Sequence, residues 1–370
     1  MQFTVMKDTV LEELQLLQGI VEKRTTMPIL QNILVRTSDS RVELVGTDLE
    51  VGLRTHFEAE VTEPGGVTVS GKKIFEIVKS LRAGEPVLFR QKDGQQQMVI
   101  KSGESEFKVN CIPPDDYPQV SDSKFSAKTV FPHGRFKEMI NLVAFAIAQE
   151  QRYYLNGALL NVKKDVLELV STDGHRLSFA ATAVDKLKLD KPISVIVAKK
   201  TLIELLKSDD DDLDFDADDN NLFFRVKHRT LISRIIESKF PNYEAVIPKE
   251  NPHVLTVERE SLTQAIRRVS LLSAERSRGI KLTLNKEDKG TLELFSSNPE
   301  IGEARDKIDV DYKGPNIEVG FNSQYLLDFL AAVSSDRVVF KLKDENSSAL
   351  LQPDPEGDVK ALYVLMPMKI

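Results

Sequence analysis

The sequence holds a single cysteine, Cys111, in 370 residues. One thiol closes no internal disulfide and supplies no paired thiolates for zinc, so a disulfide-built scaffold is excluded and a reducing compartment is expected. Histidine is scarce as well: His56, His133, His175, His228 and His253 lie too far apart for ligand spacing, so neither metal nor cofactor is expected. No apolar run reaches membrane-spanning length, and Met1 to Asp8 lacks the basic and then apolar pattern of a secretory leader. The expectation is a cytoplasmic protein without membrane contact. The serine elbow Gly-x-Ser-x-Gly is missing too, so Asp173-Gly174-His175 has no nucleophile to serve and reads as a turn.

Two near-motifs fall short on chemistry. Gly66 to Lys72 has the outline of a phosphate-cradling loop, but Lys73 stands where a magnesium-holding hydroxyl is needed, and Val67-Thr68-Val69 favours an extended strand. It reads as a strand entering a helix with a basic first turn. The aspartates between Asp209 and Asp219 lack the central glycine and closing glutamate of a calcium loop, and read as a solvated acidic loop. These eight carboxylates exceed the whole net charge of −7, so net charge says little about the remaining surface.

What is present is an ordinary globular composition, 41% hydrophobic and 29% charged, in a chain long enough for two or three cores. It is written three times. Thr47-Asp48, Thr172-Asp173 and Ser297-Asn298 recur at intervals of 125 residues, each after a strand-like run: Val42 and Leu44, Leu167 and Leu169, Leu292 and Leu294. Upstream lie helical stripes, Leu11, Leu14, Leu17, then Phe136, Met139, Val143, then Leu262, Ala265, Val269. Downstream come second helices, Ile74 to Leu81, Thr201 to Lys207 and Tyr325 to Val333, with Lys72-Lys73 and Lys199-Lys200 at matching positions before the first two. Val51 to Val61 alternates with period two and predicts one strand. The fold class is therefore α+β: three similar domains, 1–124, 125–250 and 251–370, each an antiparallel sheet with two helices on one face.

Two further stretches look functional. Arg152-Tyr153-Tyr154-Leu155 puts a cation and two rings after a helix, suited to phosphate contact and stacking, with core packing as the alternative. The tail Val364-Leu365-Met366-Pro367-Met368 is apolar, either a docked last strand or an adaptable binding surface.

Together with Phe3-Thr4-Val5, Met27-Pro28-Ile29-Leu30, Arg152 to Gly157, Thr172 to Leu177, Phe240-Pro241-Asn242-Tyr243 and Met366-Pro367-Met368, the chain resembles the bacterial sliding clamp family, the beta subunit of DNA polymerase III, over its whole length. The resemblance implies a non-catalytic DNA-clamp fold whose head-to-tail dimer closes six domains into a ring around duplex DNA without sequence preference, giving the replicative polymerase its processivity. Any nucleotidyltransferase activity would belong to the holoenzyme. The family's DNA contacts fall on Arg24, Lys72, Gln149, Tyr153 and Tyr154; Lys73, Lys199 and Lys200 are added from their helix-start positions. Lys72 stands where close relatives carry arginine, which keeps the charge and loses the planar fork. The family's pocket falls on Leu155, Thr172, Gly174, His175, Arg176, Leu177, Pro241, Val246, Asn322, Tyr325, Ser348, Val364, Met366, Pro367 and Met368. It would receive peptides of the polymerase alpha subunit, the clamp loader delta subunit, repair polymerases, mismatch-repair proteins and ligase. Ala245 and Lys369 replace arginines found in some relatives. The dimer interface falls on Phe107 and Val109 against Leu271 and Leu272. Nucleotide binding would instead revive a phosphate-acting enzyme, and a preference among DNA sequences a regulator.

Overall fold

A computed structural model of the chain describes residues 1–21, 26–92, 96–126, 129–149, 153–185, 187, 191–208, 212–275, 277–285 and 290–370. Six α-helices are seen among them: α1 (Lys7–Leu17), α2 (Gly71–Ser80), α3 (His133–Ala144), α4 (Lys199–Leu205), α5 (Arg259–Ser270) and α6 (Ser323–Ala332). None is long and apolar enough to cross a membrane. The strand pairings among the described residues are antiparallel, as the alternating pattern requires of sheets covered on one face. One compact unit holds residues 1–133 and 200–235 around a 13-stranded sheet. The other holds 134–199 and 236–370, with sheets of nine and four strands.

In each copy the first helix buries the same face: Val10, Leu14 and Leu17, then Phe136, Ile140 and Val143, then Leu262, Ile266 and Val269. Each such side chain contributes roughly 1.5–3 kcal/mol. The stripe expected on α1 is thereby corrected, since Leu11 is only half-buried while Val10 and Glu13 are buried. The position held by Glu13 holds Met139 and Ala265 in the other copies, both fully buried. The strand expected over Val51 to Val61 is also divided, into Val51–Glu58 and Glu60–Glu63, because the chain changes partner: Ala59 N–H still donates to Ser40 O at 2.8 Å beside Arg41–Thr47, whereas Glu60 and Val61 pair with Thr4 and Phe3.

The recurring Thr-Asp pairs are turn builders. Asp48 Oδ1 accepts from the N–H groups of Glu50 and Val51 at 2.9 and 2.6 Å, and Asp173 Oδ1 from those of His175 and Arg176 at 3.0 and 3.1 Å. Asn298 Oδ1 accepts from Glu300 N–H at 3.0 Å. The residue after the aspartate is left-handed in both turns, Leu49 at φ 78° and Gly174 at φ 93°. Gly65–Ser70 is the expected strand, and Ser70 Oγ caps α2 by accepting from Lys73 N–H at 3.4 Å. The acidic run is only partly a loop. Asp209, Asp210 and Asp211 lie outside the described residues, but Asp214 and Asp216 sit in the strand Leu213–Ala217, whose alternate Leu213 and Phe215 are buried.

Glu13 is the costly residue of the first unit. Burial alone would raise its carboxyl pKa, but hydrogen bonds from Arg229, Thr55 and His228 outweigh it and hold the group below its ordinary value. Arg229 Nε lies 3.0 Å and Nη2 2.7 Å from its oxygens, Thr55 Oγ1 donates at 2.6 Å, and His228 Nε2 sits at 3.0 Å. Removing Arg229 strands a buried charge, so Arg229→Ala should cost about 3–5 kcal/mol, read as an earlier first transition in calorimetry. Because the Glu13 pKa is depressed on folding, its contribution is complete above the unfolded carboxylate range and is lost as pH falls through the folded value. A Glu13→Gln chain should accordingly show a flatter acid limb in Tm against pH.

Candidate docking and nucleic-acid sites

In the second unit, the strand Arg176–Ala183 pairs with Val359–Leu365, setting Leu177 opposite Val364. Around that pair a core gathers Leu155, Leu159, Val170, Leu177, Ile196, Ile236, Phe240, Leu350 and Val364, with Tyr154, Tyr243 and Ile247 packed against it. Three of the fifteen expected pocket residues, Leu155, Leu177 and Val364, lie in this core. Val246 is 45% and Met366 47% exposed. Gly174, His175 and Pro241 are exposed, and Pro367, Met368, Tyr325, Asn322 and Ser348 half-buried. Of the two readings of the tail, the structure shows a docked strand, Val359–Leu365, and Met366 to Met368 continue past it, tied by Met366 N–H to His175 O at 3.1 Å and Met368 N–H to Gly320 O at 2.9 Å.

Arg176 organises the polar side. Its guanidinium donates to Asp173 Oδ2 at 2.9 Å, Asp328 Oδ2 at 2.6 Å and Phe145 O at 2.7 Å, and lies 4.2 Å from the Tyr325 ring centre. Burial opposes the charge, yet Tyr363, Asp328 and Asp173 raise its pKa above the ordinary value. Thr172 Oγ1 donates to Arg176 O at 2.6 Å and fixes the turn. Asn322 caps α6, accepting from Gln324 and Tyr325 N–H at 2.9 and 3.4 Å. Ser348 O accepts from Asn251 Nδ2 at 2.9 Å. The Tyr243 hydroxyl is pushed up to about 12 by burial and by Glu168. Sequence reasoning missed Asp328 and Phe145, which lie far along the chain from Arg176, and also Leu159; Phe240 sat inside a noted motif, and Val170 beside the strand-like run of Leu167 and Leu169.

The expected DNA contacts are shared between the two units, Lys72, Lys73 and Lys200 in the first and Gln149, Tyr153, Tyr154 and Lys199 in the second. Arg24 and Arg152 lie outside the described residues, as does the Tyr153 side chain, whose backbone starts the short helix Tyr153–Leu155. Gln149 is exposed. Lys72 and Lys73 are exposed, 3.8 and 2.9 Å from Glu76. Tyr154 packs against the apolar core. Burial and the nearby Arg176 lower the Lys199 pKa. Lys200 is engaged within the first unit, donating to Ile20 O at 2.7 Å and to Asp48 Oδ2 at 2.5 Å. The lysine pairs are also out of step: α2 opens at Gly71, one residue before Lys72, whereas α4 opens at Lys199 itself.

On the expected interface, Leu271 is 78% exposed and Leu272 half-buried. Phe107 and Val109 are half-buried on the strand Ser105–Ile112, which pairs with Gln97–Ser102 along one side and with Gly65–Ser70 only at Cys111 and Ile112 on the other. Gly302–Asp309 pairs only with Thr291–Asn298. Both strands thus present a bare edge among the described residues. One concavity, of about 940 Å³, shares none of the expected pocket residues; Arg90, Lys92, Gln97, Lys108 and Asn110 line it. Its open, polar walls suit a peptide less well than the apolar floor at Leu177.

Family models of the DNA polymerase III beta subunit match in succession, the N-terminal domain over residues 1–121, the central domain over 131–242 and the C-terminal domain over 244–369. The chain is 37% identical to the Beta sliding clamp of Pseudomonas putida and 34% to that of Escherichia coli K12, each covered in full. Among solved structures, the DNA polymerase III subunit beta of Pseudomonas aeruginosa matches over both complete chains with a TM-score of 0.92 at 36% identity. A sliding clamp of that organism bound to griselimycin also gives 0.92, at 35% identity and full coverage of both chains. Fold and likeness define the class, a three-domain clamp of antiparallel sheets bearing helices. The chain belongs to the DNA polymerase III beta subunit family, the beta sliding clamps.

Asp328 supplies one of two carboxylates around a nearly buried guanidinium. Asp328→Ala should therefore destabilise the second unit by about 1.5–3 kcal/mol, read as the shift in its urea midpoint.

Proposed function

We propose that two copies of this chain, each of domains 1–124, 125–250 and 251–370, join head to tail in a ring around duplex DNA. The ring has no catalytic site of its own and keeps the replicative polymerase on its template. The observation that carries the reading is the pair of bare edges, Ser105 to Asn110 and Gly302–Asp309. Each has no strand along one side among the described residues, a second strand can pair there, and head-to-tail pairing of unlike edges closes a ring when the rotation permits. Glu106 and Lys108 on one edge and Glu303, Arg305 and Lys307 on the other allow opposite charges to meet, with Phe107, Val109, Leu271 and Leu272 as the apolar part.

A ring is retained by topology, so sparse phosphate contacts suffice and a tight grip would oppose sliding. Arg24, Lys72, Lys73, Gln149, Tyr153, Tyr154 and Lys199 are the groups assigned to that contact. Lys200 joins them only if it leaves Asp48, to which it is bonded at 2.5 Å. The apolar floor at Leu155, Leu177 and Val364, beneath the open rim of Val246 and Met366, takes short peptides of polymerases, clamp loader and repair factors, with Arg176 orienting the rim. The griselimycin-bound relative supports a ligand site in this family.

On a nicked circular DNA loaded by clamp loader and ATP, the protein should stay bound in moderate salt and run off once the circle is cut. Retention that ignores DNA ends would rule out the ring. Leu271→Asp should shift the dimer to monomer by at least tenfold in Kd, measured by sedimentation, since it puts a charge into an apolar contact.

A further inference from the structure

The two pairings that carry a sheet from one copy into the next are built alike. Gly52 faces Ile232 as Leu177 faces Val364. Arg234 N–H donates to Glu50 O at 2.7 Å as Met366 N–H donates to His175 O at 3.1 Å. Outward from these pairs, Leu34 faces Val45 as Leu159 faces Val170, and Phe223 faces Ile232 as Leu350 faces Val364. The apolar floor assigned to the peptide pocket therefore has a counterpart in the first unit: Leu34 and Val45 with Tyr117, continued by Phe223 and Ile232.

Two differences between the junctions bear on the groove. The second has Leu177 and leaves Val246 45% exposed. The first has Gly52, and Val120, at the position of Val246 in the repeat, packs against both apolar clusters. A Cβ on Gly52 would lie 3.0 Å from Val120 Cγ1, so any side chain there requires Val120 to give way. The segment Pro118 to Ser126 forms neither helix nor strand and is held at several points. Arg54 donates to Val120 O at 3.0 Å and pairs with Asp122 at 2.7 Å; Ser123 Oγ donates to Asp216. Phe125 is buried, edge-on to Phe223 at 6.5 Å, with the Arg225 guanidinium 4.0 Å from its ring centre. A carbonyl tied to arginine and two apolar side chains set into a row of apolar residues are the contacts of a docked peptide.

We propose that the first junction is a second peptide groove, closed by the chain's own segment Pro118 to Ser126 bound as a tethered ligand, with Gly52 the residue that admits it. This rests on the pocket reading of the second junction. The ligand class is an extended peptide with an apolar side chain at the Val120 position and an aromatic one at the Phe125 position. Tethering supplies the segment at an effective concentration on the order of millimolar or above, so free peptides of ordinary affinity do not displace it. One groove per chain stays open, and its partners compete for it.

The test uses the full-length chain, methyl-labelled at Ile, Leu and Val, and the synthetic nonapeptide Pro-Gln-Val-Ser-Asp-Ser-Lys-Phe-Ser copied from residues 118–126. In the unmutated protein, added peptide should leave the Leu34, Val45 and Ile232 signals in place. In Val120→Ser/Phe125→Ser these signals should move, and a peptide carrying serine at both positions should not move them. Val120→Ser alone replaces the double variant if the latter loses methyl dispersion. Signals that stay fixed in the variant, or that move equally in the unmutated chain, overturn the proposal. Griselimycin, added separately, probes Leu155, Leu177 and Val364. Silence at those three overturns the pocket reading instead, in signals of its own.

Discussion

Backbone groups at a strand edge need partners, and this chain satisfies the need by letting one repeat complete the sheet of another. Val51–Glu58 of the first copy takes Arg229–Arg234 of the second, and Arg176–Ala183 of the second takes Val359–Leu365 of the third. The compact units therefore cut across the repeats, and the second copy contributes to both. An unpaired edge strand is a site of misassociation, so each junction is a constraint as well as a gain. The remaining bare edges follow from the same rule, because a linear series of such units ends with one edge of each kind unfilled.

Where the junctions form, turn chemistry and packing have diverged on one backbone plan. Asp48 and Asp173 both tie down their turns, but Lys200 comes to the first while Arg176, Asp328 and Tyr325 surround the second. Glu13 adds a buried charge that neither Met139 nor Ala265 repeats, matched by Arg229, Thr55 and His228. The absence or presence of one leucine side chain then sets apart the junction whose apolar surface is covered by the chain itself, at Gly52, from the one left open beside Leu177.

Much of this was legible in the sequence because it is local. The Thr-Asp turns, the second helices and the strand before Lys72 depend on residues within a few positions of one another, and each was read with at most a small shift of ends. The three-fold repeat supplied the rest of the fold class. What local reading missed depends on distant partners. Glu13 looks like a surface residue until Arg229 is brought to it, and Leu11 looks like core although the buried face of the helix runs through Val10, Leu14 and Leu17. The acidic run looked uniform, yet Leu213 and Phe215 pull part of it into a strand. Of the candidate pocket, the residues on the paired strands came together, whereas Asp328 and Phe145 had no signal linking them to Arg176.

The junctions also set a timetable. Arg176–Ala183 emerges from the ribosome roughly 180 residues ahead of its partner, Val359–Leu365, which at about 5–20 residues per second is on the order of ten to forty seconds. Through that interval a half-finished sheet with Val170 and Leu177 on its floor waits with an open edge, as Val51–Glu58 did earlier for Arg229–Arg234. The span in which a nascent chain is most exposed to a neighbour is thus written into the order of its strands.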